Sequence, residues 1–372
     1  MKIQQWLMTA QDTLPALNPH SETQWVMVFG AGAWFNDTLT SWLSHAFPNA
    51  LLTGCTTNGE IASQRCTEQS LVVTAITFER PTTLQYASVP LPAAAQSYQA
   101  GQQLAQQFTP DTHTLFLLAP GQNINVNATL DGIQQQRPDV NIVGGLAGNY
   151  LGDSHFMLLL NQHCLPDHLI AVGFNQPHLQ MQHAYDSGWY GVGQTLTVTA
   201  TQGNILTGLD GRPALQVYRE LLASYGDNAA AMLQFPFTLV DPTNAHRQVI
   251  RSVLNIDEAA QGLVLAAEIA VGQLMQLMHG HTDTLLDGAE KAAEKITHTD
   301  ALGQSLTFVA SCFGRKLVML QRTGEEVGIL QDMLPSQHVL TGFYSHGEIS
   351  PILPGKSELH NQTITIAHWH EV

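Results

Sequence analysis

Short all-apolar runs alternate along this chain with stretches that repeat their apolar positions every three or four residues. The first pattern predicts buried strands and the second amphipathic helices. Within residues 23–61, an apolar run at 25–29 is followed by a helical stretch at 36–47. There Leu39, Trp42, Leu43 and Phe47 share one face, and Pro48 stops the helix. A second run at 50–52 leads to Gly54 and a polar turn. The plan recurs at 113–149, with a strand at 115–118, a helix at 127–136, a stop at Pro138, and Gly144 and Gly145 after Ile142 and Val143. It recurs at 305–349, with a strand at 306–310, a stop at Pro335, and Val339 and Leu340 before Gly342. The first and third copies end almost alike, GCTTNGEIA at 54–62 against GFYSHGEIS at 342–350.

Strand, loop, helix, strand and glycine turn make a βαβ-like unit, so the chain is expected to be α/β with mixed sheets. Segments at 155–160, 171–174 and 194–200 suit additional antiparallel strands. A helix is expected to start at Asp210 or Gly211 with Pro213 in its first turn, strands are expected over 248–280, and a helix over 288–296. No low-complexity linker interrupts the chain, which predicts two tightly packed related domains, 1–207 and 208–372. Ligands of open α/β sheets collect at the carboxyl ends of strands. The turns at 54–60, 144–149 and 342–348 fall there, and glycine allows close backbone approach. Gly54, Cys55, Thr56, Thr57, Gly145, Tyr344, Ser345 and Glu348 are therefore candidate ligand contacts. Ser311, Cys312 and Arg315 end another strand, and Asn361 precedes the last one. Arg315 suits a ligand carboxylate. Equally, it can be a structural partner for Glu60 or Glu348.

Composition narrows the function. The chain has 372 residues, of which 44% are hydrophobic and only 12% charged, so it can bury a sizeable core. Thirty acidic residues against fourteen basic ones give a formal charge of -16, which disfavours nucleic acid and anionic membrane surfaces. No apolar run is long enough to span or insert into a membrane. Four scattered cysteines with no CxxC point to a reducing cytoplasm. There is no P-loop, nucleophile elbow or dinucleotide fingerprint. Seventeen histidines are many for so few other cations. The pairs His279/His281 and His368/His370 each offer two imidazoles without a third ligand.

The motifs GCTTNGEI, SCFGR (311–315), GFYSHGEISP (342–351) and ELHNQTITI (358–366), with GRPALQVY (211–218), resemble the FIST family over nearly the whole chain. That resemblance implies an intracellular signal-transduction module that binds a small ligand, amino acids being one class. A stand-alone subset resembles nitric-oxide-sensing haem proteins that regulate a separate histidine kinase or cyclic-di-GMP enzyme. Haem needs one neutral imidazole in an apolar pocket. His346 and His360 lie inside the family motifs, and His346 stands where an aromatic is common, so these two are the candidate iron ligands. The chain is thus expected to bind and not to catalyse. A hydrolase with a Cys or Glu site in the cleft between domains is the alternative from another class.

Overall fold

A computed structural model describes residues 1–9, 14–63, 65–149, 156–175, 178–223, 232, 234–241, 249–297, 303–335 and 337–372. The three sequence copies become three six-stranded sheets of one design. Each has a parallel pair at its centre: Trp25–Gly30 with Leu51–Thr56, Thr112–Ala119 with Asn141–Leu146, and Ser305–Cys312 with His338–Ser345. On one side each pair is flanked by a later strand of the same copy, Leu71–Thr77, His168–Asn175 or Ile364–Glu371. Beyond that strand lies the copy's first one, Lys2–Met8, Leu84–Pro90 or Leu179–Asp186.

The other side of each pair is completed by a hairpin from a different copy. Glu60–Ala62 and Arg65–Thr67 join the third sheet, Leu158–Leu160 and His163–Leu165 the first, and Glu348–Leu353 and Lys356–His360 the second. The exchange is cyclic, so no copy owns a complete sheet. The strand expected from residue 155 is seen over Leu158–Leu160, its beginning lying outside the described residues.

The inner faces of the three sheets meet in one aromatic core. Trp25, Phe29, Phe116, Phe174, Phe308, Phe343 and Trp369 belong to it and are buried. Edge-to-face contacts, such as Phe116–Phe308 at 4.9 Å, favour this packing beyond simple burial. Helices cover the outer faces. Asp37–Ala46 begins where the Asn36 side chain accepts from Thr38 and Leu39 N–H, and it buries Leu39 and Leu43. Val126–Gln136 is capped likewise by Asn125 and buries Leu130 and Ile133. Thr282–Glu294 and Thr323–Met333 cover the third sheet.

Glycine serves these sheets differently from the sequence expectation. Gly54, Gly144 and Gly342 sit inside strands and not in turns. A Cβ on each would stand 1.9 Å from the carbonyl oxygen of Val28, Leu117 or Val309 on the parallel neighbour. They therefore let each central pair approach, and the turns follow them.

Between Asp186 and Thr282 the chain leaves the third copy to build a fourth sheet of eight strands, including Tyr190–Gln202, Ile205–Leu209 and Leu274–His279. Helix Ala214–Leu222, starting just after Pro213, packs on it. The division at 207/208 falls within strand Ile205–Leu209.

Candidate functional site

The carboxyl ends of the central pairs converge at one end of the molecule. Their backbones form a cycle: Asn58 N donates to Tyr344 O (3.0 Å), Gly148 N to Thr56 O (2.8 Å), and His346 N to Leu146 O (3.4 Å). Asn58, Gly148 and His346 thus occupy equivalent places in the three copies.

Beside His346 a cleft of about 810 Å³ opens at the strand ends of the second and third sheets. One wall is the loop Gly121–Val126 with Leu146, and another is Cys312, Phe313, Gly314 and Leu317. Ser345, His346, Leu359, Asn361 and Gln362 also line it. The facing side comes from the inserted sheet, through Gly203, Asn204, Ser252, Leu254 and Ala266–Glu268. Its size suits a small-molecule site. Glu268 is the one charged side chain in the described lining.

His346 is half-buried, its ring 5.2 Å edge-on from Phe156 and 6.2 Å stacked from Phe313. Burial lowers its pKa, opposed in part by a hydrogen bond to the Gly121 backbone. The imidazole is therefore neutral, with one nitrogen engaged by a carbonyl and the other carrying a lone pair. That is the usual arrangement of a ligating histidine. Burial likewise favours neutral His338 and His370, neither of which lines the cleft.

Cys312, Ser345, His346 and Asn361 of the expected residues line the cleft. Asn361 is 2% exposed and its Oδ1 has no hydrogen-bond partner. Gly54, Cys55, Thr56, Thr57, Gly145, Ser311, Arg315, Tyr344, Glu348 and His360 are buried and are not in its lining. Cys55 belongs to the aromatic core, where burial pushes its thiol up. Burial raises the Cys312 thiol too, and neighbouring Glu348 raises it further, so neither is a ready nucleophile. His360 packs 4.4 Å from the Tyr185 ring. The His368 and His370 rings lie 5.7 Å apart, His279 and His281 6.3 Å. Among the described residues no three His, Cys, Asp or Glu are grouped for a metal ion.

Arg315 pairs with neither expected glutamate. It is fully buried and forms a salt bridge to Glu326 at 2.5 Å, with a second bond from Nε at 2.9 Å. It also donates to Ser187 O and Leu285 O. Ser311 and Tyr344 complete the Glu326 carboxylate at 2.8 and 2.9 Å. Three expected ligand contacts are thus a structural network beneath the helices.

Glu60 and Glu348 are equivalent, as their shared motif implied. Glu60 accepts from Thr57 Oγ1 (2.5 Å) and Ser70 Oγ (2.6 Å); Glu348 accepts from Ser345 Oγ (2.6 Å) and Thr363 Oγ1 (2.9 Å). Each ties its own turn to the next strand. Burial raises the pKa of both, and that of Glu348 is pushed up to about 8.

The cleft walls at 121–126, 203–204 and 266–268 carry no motif and escape sequence reasoning. The one available signal was the amide-rich run GQNINVN following a strand.

In an α/β protein a cleft of this size at the strand ends is where small ligands usually bind. The chain belongs to the FIST family: residues 24–212 match the FIST N domain and 214–351 the FIST C domain. FIST domains are associated with small-ligand sensing in signalling. An uncharacterized protein of Mycobacterium tuberculosis is 24% identical over 275 residues, spanning 70% of this chain and 69% of its own length. Another, from Mycobacterium bovis, is 28% identical over 245 residues, 62% of this chain and 60% of its own.

Among solved structures, a chorismatase aligns over 99% of this chain and 98% of its own, with TM-score 0.35 and 9% identity. A cyanuric acid hydrolase aligns over 100% and 99%, with TM-score 0.34 and 10% identity. Both are enzymes by name, so the expectation that the chain does not catalyse is withdrawn. Overlays this loose assign it no chemistry. No helix among the described residues is long and apolar enough to cross a membrane.

Proposed function

We propose that the chain is a haem-based nitric oxide sensor, holding haem in the cleft with His346 as the iron ligand. The observation that carries this reading is the placement of His346. It is a neutral imidazole on the wall of a predominantly apolar cleft, buttressed by Phe156 and Phe313 and hydrogen-bonded to the Gly121 backbone. Haem would supply an iron position for nitric oxide. The chain's part is to fix the imidazole and to exclude water with Ile124, Val126, Leu146, Leu317 and Leu359. The described lining holds no cation for the propionates, and Leu254 on the inserted sheet's side is exposed. Output passes to a separate histidine kinase or cyclic-di-GMP enzyme, in the cytoplasm.

A second reading, a free amino acid, is favoured by three other groups. Glu268 and the unpartnered Asn361 Oδ1 suit an ammonium, and the amino end of helix Val126–Gln136 suits a carboxylate. An absorption spectrum of protein produced with haem supplied separates the two. A Soret band that shifts with nitric oxide supports haem; a flat spectrum with thermal stabilisation by an amino acid overturns it.

A further inference from the structure

The inserted sheet has an interior of its own. Its main apolar cluster runs from Leu196 to Leu277, with Val192 against it, and shares no member with the aromatic core, while its Ile250 and Met278 are buried with the helices of the third sheet. The chain enters it through 187–190 and leaves through 279–281. These passes lie side by side, Tyr190 opposite His279, with Tyr190 Oη 2.9 Å from His279 Nδ1. The neck is tightly packed. A Cβ on Gly188 would stand 2.0 Å from Thr284 O, and one on Gly280 2.5 Å from the Trp189 ring.

Away from the neck the inserted sheet meets the body where buried Arg251 donates to Leu359 O at 3.4 Å, and clefts separate the two beside that contact. The cleft of about 810 Å³ and a second of about 560 Å³ lie along it and share Gly203 and Glu268. A molecule filling the first touches Asn204 and Leu254 on one side and Val126 and His346 on the other. The neck is also fastened to the cleft wall. Trp189, 3% exposed, donates its indole N–H to Gln362 O at 3.0 Å, and Gln362 lines the cleft beside Asn361.

We propose that the inserted sheet is a jointed output unit: an occupied cleft draws it onto the three-sheet body, with Trp189 coupling the neck to the cleft wall. The proposal rests on the cleft being the ligand site. A ligand shifts such an equilibrium only through its better contacts with one arrangement. A cleft walled mostly by the body and on one side by the inserted sheet supplies that difference. The neck, pinned by two glycines and one indole hydrogen bond, is where the change in angle is absorbed.

The test is amide hydrogen exchange of the full chain with and without haemin, for wild type and Trp189→Phe. The variant keeps a ring in the neck and removes only the N–H donor. With wild type, haemin is expected to slow exchange at 203–204, 252–254 and 266–268 and, by about tenfold, in the neck at 187–190 and 279–281. Trp189→Phe is expected to keep the haemin absorbance and lose the neck protection. Protection confined to 121–126 and 345–362 would overturn the proposal. If wild type takes up no haemin, the haem reading fails, and the ligand-free proteins decide the joint. Neck exchange should then rise about tenfold in the variant while 196–198 and 275–277 keep their rates. Unchanged neck exchange, or loss of protection in sheet and body together, sinks it.

Discussion

Replacing Arg315 by methionine removes a cation from a fully buried pair while keeping most of the side chain's length. Glu326 is then left 0% exposed with only Ser311 and Tyr344 donating to it, and Ser187 O and Leu285 O each lose a donor. Breaking a buried ion pair by removing one partner costs about 3–5 kcal/mol. The deserted carbonyls place the expected loss at the upper end, about 5 kcal/mol. Adding Glu326→Gln removes the stranded charge yet keeps an acceptor for Ser311 and Tyr344, and is expected to recover about 1–2 kcal/mol. Urea denaturation followed by circular dichroism measures both, and haemin titration of the same samples below the unfolding transition measures binding. A single variant within about 1 kcal/mol of wild type would refute the network argument. So would an intact fold with binding abolished, because Arg315 would then be touching the ligand.

Four further outcomes follow from the same structure. Glu348 has a folded pKa of about 8, raised by burial from its ordinary 4.5. The folded state therefore holds its proton more tightly, and the stability it contributes is complete below the unfolded pKa and lost as pH rises to about 8. In haem-free protein, the stability of Glu348→Gln relative to wild type should climb by about 1.4 kcal/mol per pH unit between pH 5 and 8. A difference that is flat with pH in urea titrations contradicts it. Gly342→Ala, whose Cβ would meet Val309 O at 1.9 Å, should destabilise by about 3 kcal/mol. Gly328→Ala, with nothing within 4 Å in helix Thr323–Met333, should stabilise by about 0.5–1 kcal/mol in the same thermal melts. Residues 1–212 alone lack the partners of Glu60–Ala62, Asn141–Leu146 and Tyr190–Gln202, and should be insoluble until co-expressed with 213–372. Soluble, folded 1–212 would show that the exchanged hairpins are dispensable.

The threefold plan was legible because apolar periodicity is local and because GEI at 59–61 and 347–349 repeats with its Thr57 or Ser345 partner. What escaped is what sequence neighbours do not encode. Glu60 pairs with Phe343 across the chain, and nothing in either segment announces that the hairpins are traded between copies. Gly54 and Gly342 read as turn residues because a polar stretch follows them, whereas their requirement comes from the parallel strand beside them. Arg315 found Glu326 eleven positions on, since helix Phe313–Met319 turns the chain back before Thr323–Met333 begins. One side of the cleft belongs to an inserted sheet whose strands look like any others.

In the proposed function His346 in the cleft holds the haem iron. Haemin titration of the purified chain, beside His346→Ala and His360→Ala, tests it most directly. Wild type and His360→Ala are predicted to give the same Soret band, shifting with nitric oxide, while His346→Ala loses or displaces it. An unchanged band in His346→Ala would contradict the account.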